Sequence, residues 1–239
     1  GAAALRRELG VLRRLRHPRA LRLLDTAEDA DRLHLVTELC TGGELFHFTK
    51  ALHSSDGTPG KESAAGDTEA IARRIFSQVL EGLRYLHEEL SVVHRDLKPE
   101  NILFVHNDHS NIQIKIIDFG LAVFLPEQGH LRELVGTPYY VAPEVLNKSY
   151  RETCDLWSLG VLIYTFFSGN LPFGGKTNDE IFNSIRRGQV AFRGPRWRGV
   201  GAGAKDLVWG LLARGPAARL SAAGALAHPW LRGGGGDGR

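Results

Sequence analysis

The stretch VVHRDLKPENILFV, residues 92–105, decides the fold class of this chain. Two apolar, β-branched runs flank a polar loop, so the pattern predicts a strand, a loop and a second strand. The loop carries Asp96, Lys98 and Asn101, which are a carboxylate, a compact cation and an amide. An isolated aspartate in such a loop is commonly a turn residue, so the interpretation depends on what surrounds it.

Two further motifs follow this loop in the chain. Asp-Phe-Gly stands at 118–120 and Ala-Pro-Glu at 142–144, after His-Arg-Asp at 94–96 and Asn101. In this order and spacing they match the later members of the protein-kinase signature. The chain therefore resembles the eukaryotic protein kinase family over nearly its full length, which implies an α+β fold with a small β-rich lobe and a larger helical lobe.

The resemblance is specific enough to suggest a branch. Lys98 and GTPYYVAPE (136–144) resemble the serine/threonine branch rather than the tyrosine branch. The segment 119–146, with AKDLV (204–208) and LSAAGALAHPWL (220–231), resembles the calcium- and calmodulin-dependent group and, within it, the calcium-dependent protein kinases of plants and protists. This implies transfer of the ATP γ-phosphate, with Mg²⁺, to serine or threonine of protein substrates.

The kinase resemblance assigns roles to the polar residues of the loops. Phosphoryl transfer needs positioning and charge neutralisation more than covalent work by the protein. Asp96 would orient the acceptor hydroxyl and take its proton, and Lys98 would reach the transferring phosphoryl group. Asn101 and Asp118 would offer hard oxygen ligands to Mg²⁺. Thr137 would hydrogen-bond to Asp96 and Lys98.

The nucleotide edge is also implied by resemblance. In ELC (38–40) the Glu38 carbonyl and the Cys40 amide would face the adenine, and Leu103 joins the nucleotide-contacting residues. Glu44 and Glu100 resemble carboxylates that bind ribose and basic residues upstream of the target. The alternative is that both glutamates are merely solvated, as most glutamates are.

Three scaffold assignments come from the same resemblance. Asp155 would hold the backbone of the catalytic loop, and Arg219 would pair with Glu144. Glu133 stands where other kinases are phosphorylated, and its carboxylate would pair with Arg95 as a phosphate does. We therefore expect no need for phosphorylation of this loop, against the alternative of a solvated glutamate.

The front of the chain departs from the pattern. Glu8 matches the helix glutamate that a kinase pairs with a strand lysine, but only residues 1–7 precede it. We expect an N-terminally truncated catalytic domain without the glycine-rich loop and its lysine, with weak or absent binding of Mg²⁺-ATP and with uncovered apolar surface around residues 5–12. No EF-hand loop occurs in the sequence, so a calcium-sensing module would lie outside this chain.

Two hypotheses of different classes follow. One is a serine/threonine kinase catalytic domain, and the other is a non-catalytic, kinase-like scaffold, or pseudokinase. The four intact polar residues favour the enzyme, because a scaffold has no physical need for all of them. They are Asp96, Lys98, Asn101 and Asp118.

Composition bounds the remaining possibilities. The 239 residues are 43% hydrophobic and carry 30 Lys and Arg against 27 Asp and Glu, for a net charge of +3. No polybasic run indicates a nucleic-acid partner, no apolar run is long enough to span a bilayer, and the two cysteines are far apart. We expect a cytoplasmic protein, with the nucleus as a second location.

The coarse organisation follows from periodicity. Leucine spacing in 5–18 predicts an amphipathic helix that ends before its proline, and 32–39 alternates like a strand. A surface insertion is predicted at 53–67, a long helix at 68–89, and helices beyond residue 143. The predicted domains are a partial small lobe (1–39), the hinge and large lobe (40–231), and a disordered tail (232–239).

Overall fold

The computed structural model describes residues 2–30, 32–53, 65–108 and 110–233. Most of the predicted insertion (54–64) and most of the predicted tail (234–239) lie outside the described residues. The helices are α1 (Ala2–Leu12), α2 (Leu45–His53), α3 (Ala65–Arg84), α4 (Pro143–Leu146), α5 (Thr153–Ser168), α6 (Asn178–Arg187), α7 (Pro195–Arg198), α8 (Ala202–Leu211) and α9 (Ala222–Leu226). The strands are β1 (Leu23–Glu28), β2 (Leu33–Thr37), β3 (Val92–Val93), β4 (Ile102–Phe104), β5 (Ile114–Ile116) and β6 (Val123–Phe124). The predicted α+β class is confirmed.

Helix α1 and the antiparallel pair β1–β2 form the described part of the small lobe. The helix buries Val11 and Leu12 but leaves Leu5 38% exposed. It ends at Leu12, earlier than the leucine spacing indicates, because residues 13–14 form a turn. Leu15 still reaches the core from beyond that turn. The leucine spacing therefore predicts the burial of Leu12 and Leu15 correctly but not the length of the helix.

The uncovered apolar surface differs from the expected one. Leu5 is exposed as predicted, but the expectation is wrong for Leu12, which packs into the core. The sheet adds Leu24 and Val36, and the segment after it adds Leu39, all of them exposed. The apolar surface of the small lobe therefore lies mainly on β1, β2 and the hinge.

The long helix predicted at 68–89 is divided in two. Helix α3 begins at Ala65, within the predicted insertion, and gives way to a π-helical turn at Tyr85–Glu89. In the π turn the Tyr85 hydroxyl accepts a hydrogen bond from the Arg16 backbone N–H at 2.8 Å. The turn thus fastens the segment after α1 to the large lobe.

Two short antiparallel ladders hold the catalytic segment. Strand β3 pairs with β6, and β4 pairs with β5 in the register Ile102↔Ile116. Each ladder therefore joins a strand that flanks the β3–β4 loop to a strand that flanks the β5–β6 loop, so the two loops lie side by side. This confirms the two predicted strand pairs and brings Asp96 near Asp118.

Helix α5 is the buried centre of the large lobe. The Trp157 ring stacks on Phe173 with centroids 5.2 Å apart. A Cβ added at Gly160 would lie 2.8 Å from the Leu212 side chain, so glycine permits the close approach of α8. Among the described helices, none combines the length and apolarity needed to cross a membrane.

Candidate active site

Asp96 is the centre of a compact polar cluster. Its Oδ1 accepts hydrogen bonds from the Thr137 backbone N–H at 3.1 Å and from Thr137 Oγ1 at 2.7 Å. Its Oδ2 accepts from Lys98 Nζ at 2.6 Å, and its backbone carbonyl accepts from Asn101 Nδ2 at 2.8 Å. The structure therefore brings together the four residues predicted to be catalytic.

The charges in this cluster are fixed near neutral pH. Burial alone would raise the pKa of Asp96, but hydrogen bonds from Lys98 and Thr137 outweigh it and leave the pKa below its usual value. Burial would lower the pKa of Lys98, but its bond to Asp96 leaves that pKa above its usual value. The site thus holds a carboxylate and an ammonium group rather than a neutral pair.

Backbone strain in the site is held by a buried carboxylate. Arg95 and Asp118 have φ angles of 69° and 60°, in the left-handed region that ordinary residues rarely adopt. Asp155 accepts the backbone N–H groups of His94 at 2.8 Å and Arg95 at 2.9 Å. Full burial would raise the pKa of Asp155, but the contact with His87 and the backbone donors lower it. An ionised Asp155 therefore holds the catalytic loop in its strained form.

Asn101 and Asp118 are suited to a hard cation. Asn101 uses its Nδ2 as a donor to the Asp96 carbonyl, which leaves its amide oxygen as an acceptor. Asp118 is exposed, and the Ile117 N–H bond to the Asn101 carbonyl, 2.9 Å long, ties the two segments together. No cluster of three or more His, Cys, Asp or Glu that could hold a metal occurs among the described residues. Two oxygen ligands fit Mg²⁺, which takes its remaining ligands from phosphates and water.

The hinge presents unpaired backbone groups. Neither the Glu38 carbonyl nor the Cys40 N–H has a hydrogen-bond partner among the described residues. The Glu38 side chain turns elsewhere, to Lys115 Nζ at 2.6 Å and the Arg22 N–H at 2.7 Å. Leu103 stands opposite Lys115 in the β4–β5 register. The arrangement leaves one acceptor and one donor for the edge of a planar base.

The two glutamates predicted to bind substrate have different surroundings. Glu44 follows the hinge, bridges to Leu103, and has Oε2 3.5 Å from His47 Nδ1. Glu100 is half-buried, and its Oε2 has no hydrogen-bond partner among the described residues. Burial and the Glu100 charge together raise the pKa of Tyr140. The Glu100 charge also contributes to raising the pKa of Lys98, so Glu100 lies within electrostatic reach of that cation.

A comparison with known proteins agrees with this geometry. The family model described as protein kinase domain matches residues 2–231. The chain belongs to the protein kinase family. It is 41% identical over 230 residues to calcium-dependent protein kinase 25 of Arabidopsis thaliana, covering 95% of this chain and 41% of the relative. It is 40% identical over 228 residues to calcium-dependent protein kinase 3 of Plasmodium berghei (strain Anka), covering 95% and 39%. The kinase chain thus spans about two fifths of the length of these relatives.

In this kinase domain Glu133 joins the activation segment to the catalytic loop. Arg95 Nη1 lies 2.7 Å from Glu133 Oε2, and Arg7 of α1 reaches the other carboxylate oxygen at 3.8 Å. The hydrogen bond from Arg95 lowers the pKa of Glu133. The Tyr150 hydroxyl donates to the Glu133 backbone carbonyl at 2.8 Å and accepts from Arg95 Nη1 at 3.2 Å. The predicted pair of Arg95 and Glu133 is therefore in contact.

Glu144 and Arg219 form a buried ion pair. Arg219 Nη2 lies 3.0 Å from Glu144 Oε2, and Nη1 bonds to the other carboxylate oxygen. The guanidinium also donates to the carbonyls of Thr153 at 2.9 Å and Ala213 at 3.0 Å. The pair anchors the end of the activation segment to α5 and α8.

Some residues of the kinase site carry no sequence signal. Tyr150 forms a hydrogen bond with Arg95, and His87 forms one with Asp155, although neither Tyr150 nor His87 belongs to a motif; Lys115 reaches the hinge from β5.

The predicted residue Glu8 lies outside the Asp96 cluster and forms no ion pair among the described residues. Burial and then the Asp118 charge raise its pKa, so it faces a carboxylate rather than a cation.

Proposed function

We propose that this domain transfers the γ-phosphate of ATP to serine or threonine hydroxyls of proteins. The observation that carries the proposal is the ionised Asp96 carboxylate, which already accepts a hydroxyl hydrogen bond from Thr137 and has Lys98 beside it. The calcium-dependent kinases to which the chain is similar support the serine/threonine class.

Each residue has a defined task in this reaction. Asp96 orients the acceptor hydroxyl and takes its proton as the hydroxyl oxygen bonds to the γ-phosphorus and the bond from that phosphorus to the departing ADP breaks. Lys98 places its positive charge beside the transferring group, where negative charge spreads. Asn101 and Asp118 would hold Mg²⁺, which offsets the charge of the phosphates when bound. The backbone groups of residues 38–40 would hold the adenine.

The test of activity compares the wild-type chain with Asp96→Asn. At Mg²⁺-ATP concentrations high enough to offset the weak nucleotide binding expected of this chain, phosphate incorporation into a serine peptide should occur with the first and fall by about 10²–10⁴-fold with the second, as expected for loss of a general base. Equal incorporation by both would contradict the assignment of Asp96. A melting curve for each protein separates lost chemistry from lost folding.

The substrate is a polypeptide with basic residues upstream of its target. The support is charge: Glu100 Oε2 is buried without a hydrogen-bond partner among the described residues, and Glu44 is a second carboxylate near the hinge. A groove of about 570 Å³ is lined by Pro99, the neighbour of Glu100 in the chain, and by the basic residues Lys50 and Arg196 among others, so the preference rests on the two glutamates and not on the groove. A peptide array should show preference for upstream Arg or Lys, and Glu100→Gln should reduce that preference. An array without any such preference would contradict this part of the proposal.

The activation segment is organised without phosphorylation. The contact between Glu133 and Arg95 supplies the link that a phosphate group supplies elsewhere. Activity of wild-type protein purified after phosphatase treatment should equal that of untreated protein. Strong activation by an upstream kinase acting at Thr137 or nearby would contradict it.

Regulation is assigned by similarity of sequence. The relatives are named as calcium-dependent, and this chain covers about two fifths of their length. A calcium-sensing module outside the chain therefore fits the proposal, with action in the cytoplasm and also the nucleus. Activity of the 239-residue chain itself should not change between calcium and a calcium chelator.

A scaffold that binds partners without transferring phosphate is the second candidate. The scaffold predicts no phosphate transfer by the chain even at high concentrations of Mg²⁺-ATP. Transfer that depends on Asp96 would exclude it.

A further inference from the structure

Lys115 makes an ion pair that the catalytic scheme does not use. Its side chain is only 11% exposed, and its Nζ lies 2.6 Å from Glu38 Oε1 and 3.5 Å from the Ala20 carbonyl. Lys115 is the one lysine that is buried among the described residues. Burying an ammonium group costs free energy unless it is paired, so the contact with Glu38 is needed to hold it there.

The partner, Glu38, is fixed through both its backbone and its side chain. Its N–H donates to the Arg22 carbonyl at 3.1 Å, and its Oε1 accepts the Arg22 N–H at 2.7 Å. Lys115 Nζ forms its ion pair with the same oxygen. One carboxylate therefore ties the end of β2, the segment before β1 and strand β5 together at the hinge.

Strand β5 is a firm support for this contact. The Ile116 N–H donates to the Arg19 carbonyl at 2.8 Å, and the Ile116 carbonyl accepts from the Leu21 N–H at 3.0 Å. Directly beyond, the Ile117 N–H donates to the Asn101 carbonyl at 2.9 Å. Lys115 thus connects the hinge to the strand that leads into Asp118.

Water reaches the pair from one side. A cavity of about 370 Å³ borders Glu38 and Lys115 and is also lined by Arg16, His17 and Arg22. Loss of the lysine would therefore let water hydrate Glu38, which limits the cost in global stability. What would be lost is the fixed direction of the carboxylate and, with it, the position of the hinge.

We propose that Lys115 is a positioning residue that braces the hinge through Glu38 and thereby sets the affinity for the adenine group. The effect on affinity rests on the proposed function, because it assumes that the backbone of residues 38–40 receives a nucleotide. The brace itself is a property of the folded chain and does not depend on a bound ligand.

The first test is hydrogen exchange in the 239-residue chain without nucleotide. In Lys115→Met the amides of Arg22 and Glu38 should exchange about tenfold faster than in wild type, because the acceptor of Arg22 is no longer held. Lys115→Arg should restore most of the protection, and exposed Lys176→Met is the matched control. Unchanged exchange at both amides in Lys115→Met overturns the brace.

The second test measures the dissociation constant for adenosine, which needs neither magnesium nor phosphate groups. Lys115→Met should bind about tenfold more weakly, as expected for losing one charge-assisted contact, while Lys115→Arg and Lys176→Met stay near wild type. Equal affinity in wild type and Lys115→Met overturns the effect on the hinge. Absence of adenosine binding by the wild-type chain would instead overturn the proposed function, and the exchange result would still decide the brace.

Discussion

Removal of Arg219 should be the most damaging single change at the end of the activation segment. The Arg219 side chain is 0% exposed and that of Glu144 is 7% exposed. In Arg219→Met, the Glu144 carboxylate stays buried without its cation. Breaking a buried pair from one side costs about 3–5 kcal/mol, a large share of the 5–15 kcal/mol that typically holds a domain folded.

Replacement of the other partner, Glu144, should lower the free energy of unfolding by less. Glu144→Gln keeps an oxygen that can accept from Arg219, and the guanidinium retains the carbonyls of Thr153 and Ala213. The expected loss is about 1.5–3 kcal/mol, the value of a hydrogen bond to a charged group. The asymmetry follows from the structure, because Arg219 has additional acceptors while the Glu144 carboxylate depends on Arg219 alone among the described residues.

Urea unfolding followed by tryptophan fluorescence measures both values. Exposed Arg193→Met is the control for removing an arginine, and it should leave the free energy of unfolding unchanged. At about 2–4 °C per kcal/mol for a chain of this size, Arg219→Met should lower Tm by on the order of 10 °C. The reasoning is refuted if Arg219→Met is as stable as Arg193→Met, or if Glu144→Gln is the less stable of the two pair variants.

Three further predictions use charge. Glu133→Gln should lower activity, because Arg95 loses its anionic partner. Since the pKa of Glu133 is lowered, the higher activity of the wild type is present throughout pH 6–8 and is lost only as the pH falls below the usual glutamate range. Rate profiles that converge near pH 6, where a phosphate titrates, would contradict this. Glu8→Gln should raise the urea midpoint at pH 7 but not in acid, because burial and Asp118 raise the pKa of Glu8 and make its ionised form destabilising above that pKa; a lower midpoint at pH 7 would refute it. Cys40 should react with iodoacetamide at pH 8 more slowly than glutathione, because burial raises the thiol pKa; mass spectrometry of Cys154→Ser measures the rate, and a faster reaction would be inconsistent.

The catalytic loop was predictable because its chemistry is local in sequence. Asp96, Lys98 and Asn101 lie within one turn of chain, and the flanking apolar runs form β3 and β4 as their composition indicates. The contact with Thr137 was available only through the resemblance, because nothing in the local sequence relates residues so far apart. The geometry now agrees with that expectation.

Other features depend on tertiary packing and left no local pattern. The π-helical turn after α3 has the same apolar residues as an ordinary helix, so periodicity could not separate it. The leucine spacing extends the predicted α1 too far, because Leu15 keeps helical spacing while it reaches the core from beyond the turn at residues 13–14. The ion pair of Lys115 with Glu38 joins the two lobes. The sequence does not predict it, because the position of a charged residue in a strand does not indicate which distant residue it pairs with.

The central claim is that the Asp96 cluster performs phosphate transfer. The most direct measurement is incorporation of labelled γ-phosphate from Mg²⁺-ATP into a serine peptide with upstream arginine, by the wild-type chain and by Asp96→Asn. The structure predicts incorporation by the wild type and a loss of about 10²–10⁴-fold in the variant, whose fold is retained. Absence of incorporation by a wild-type chain that binds Mg²⁺-ATP, or equal incorporation by both proteins, would contradict the claim.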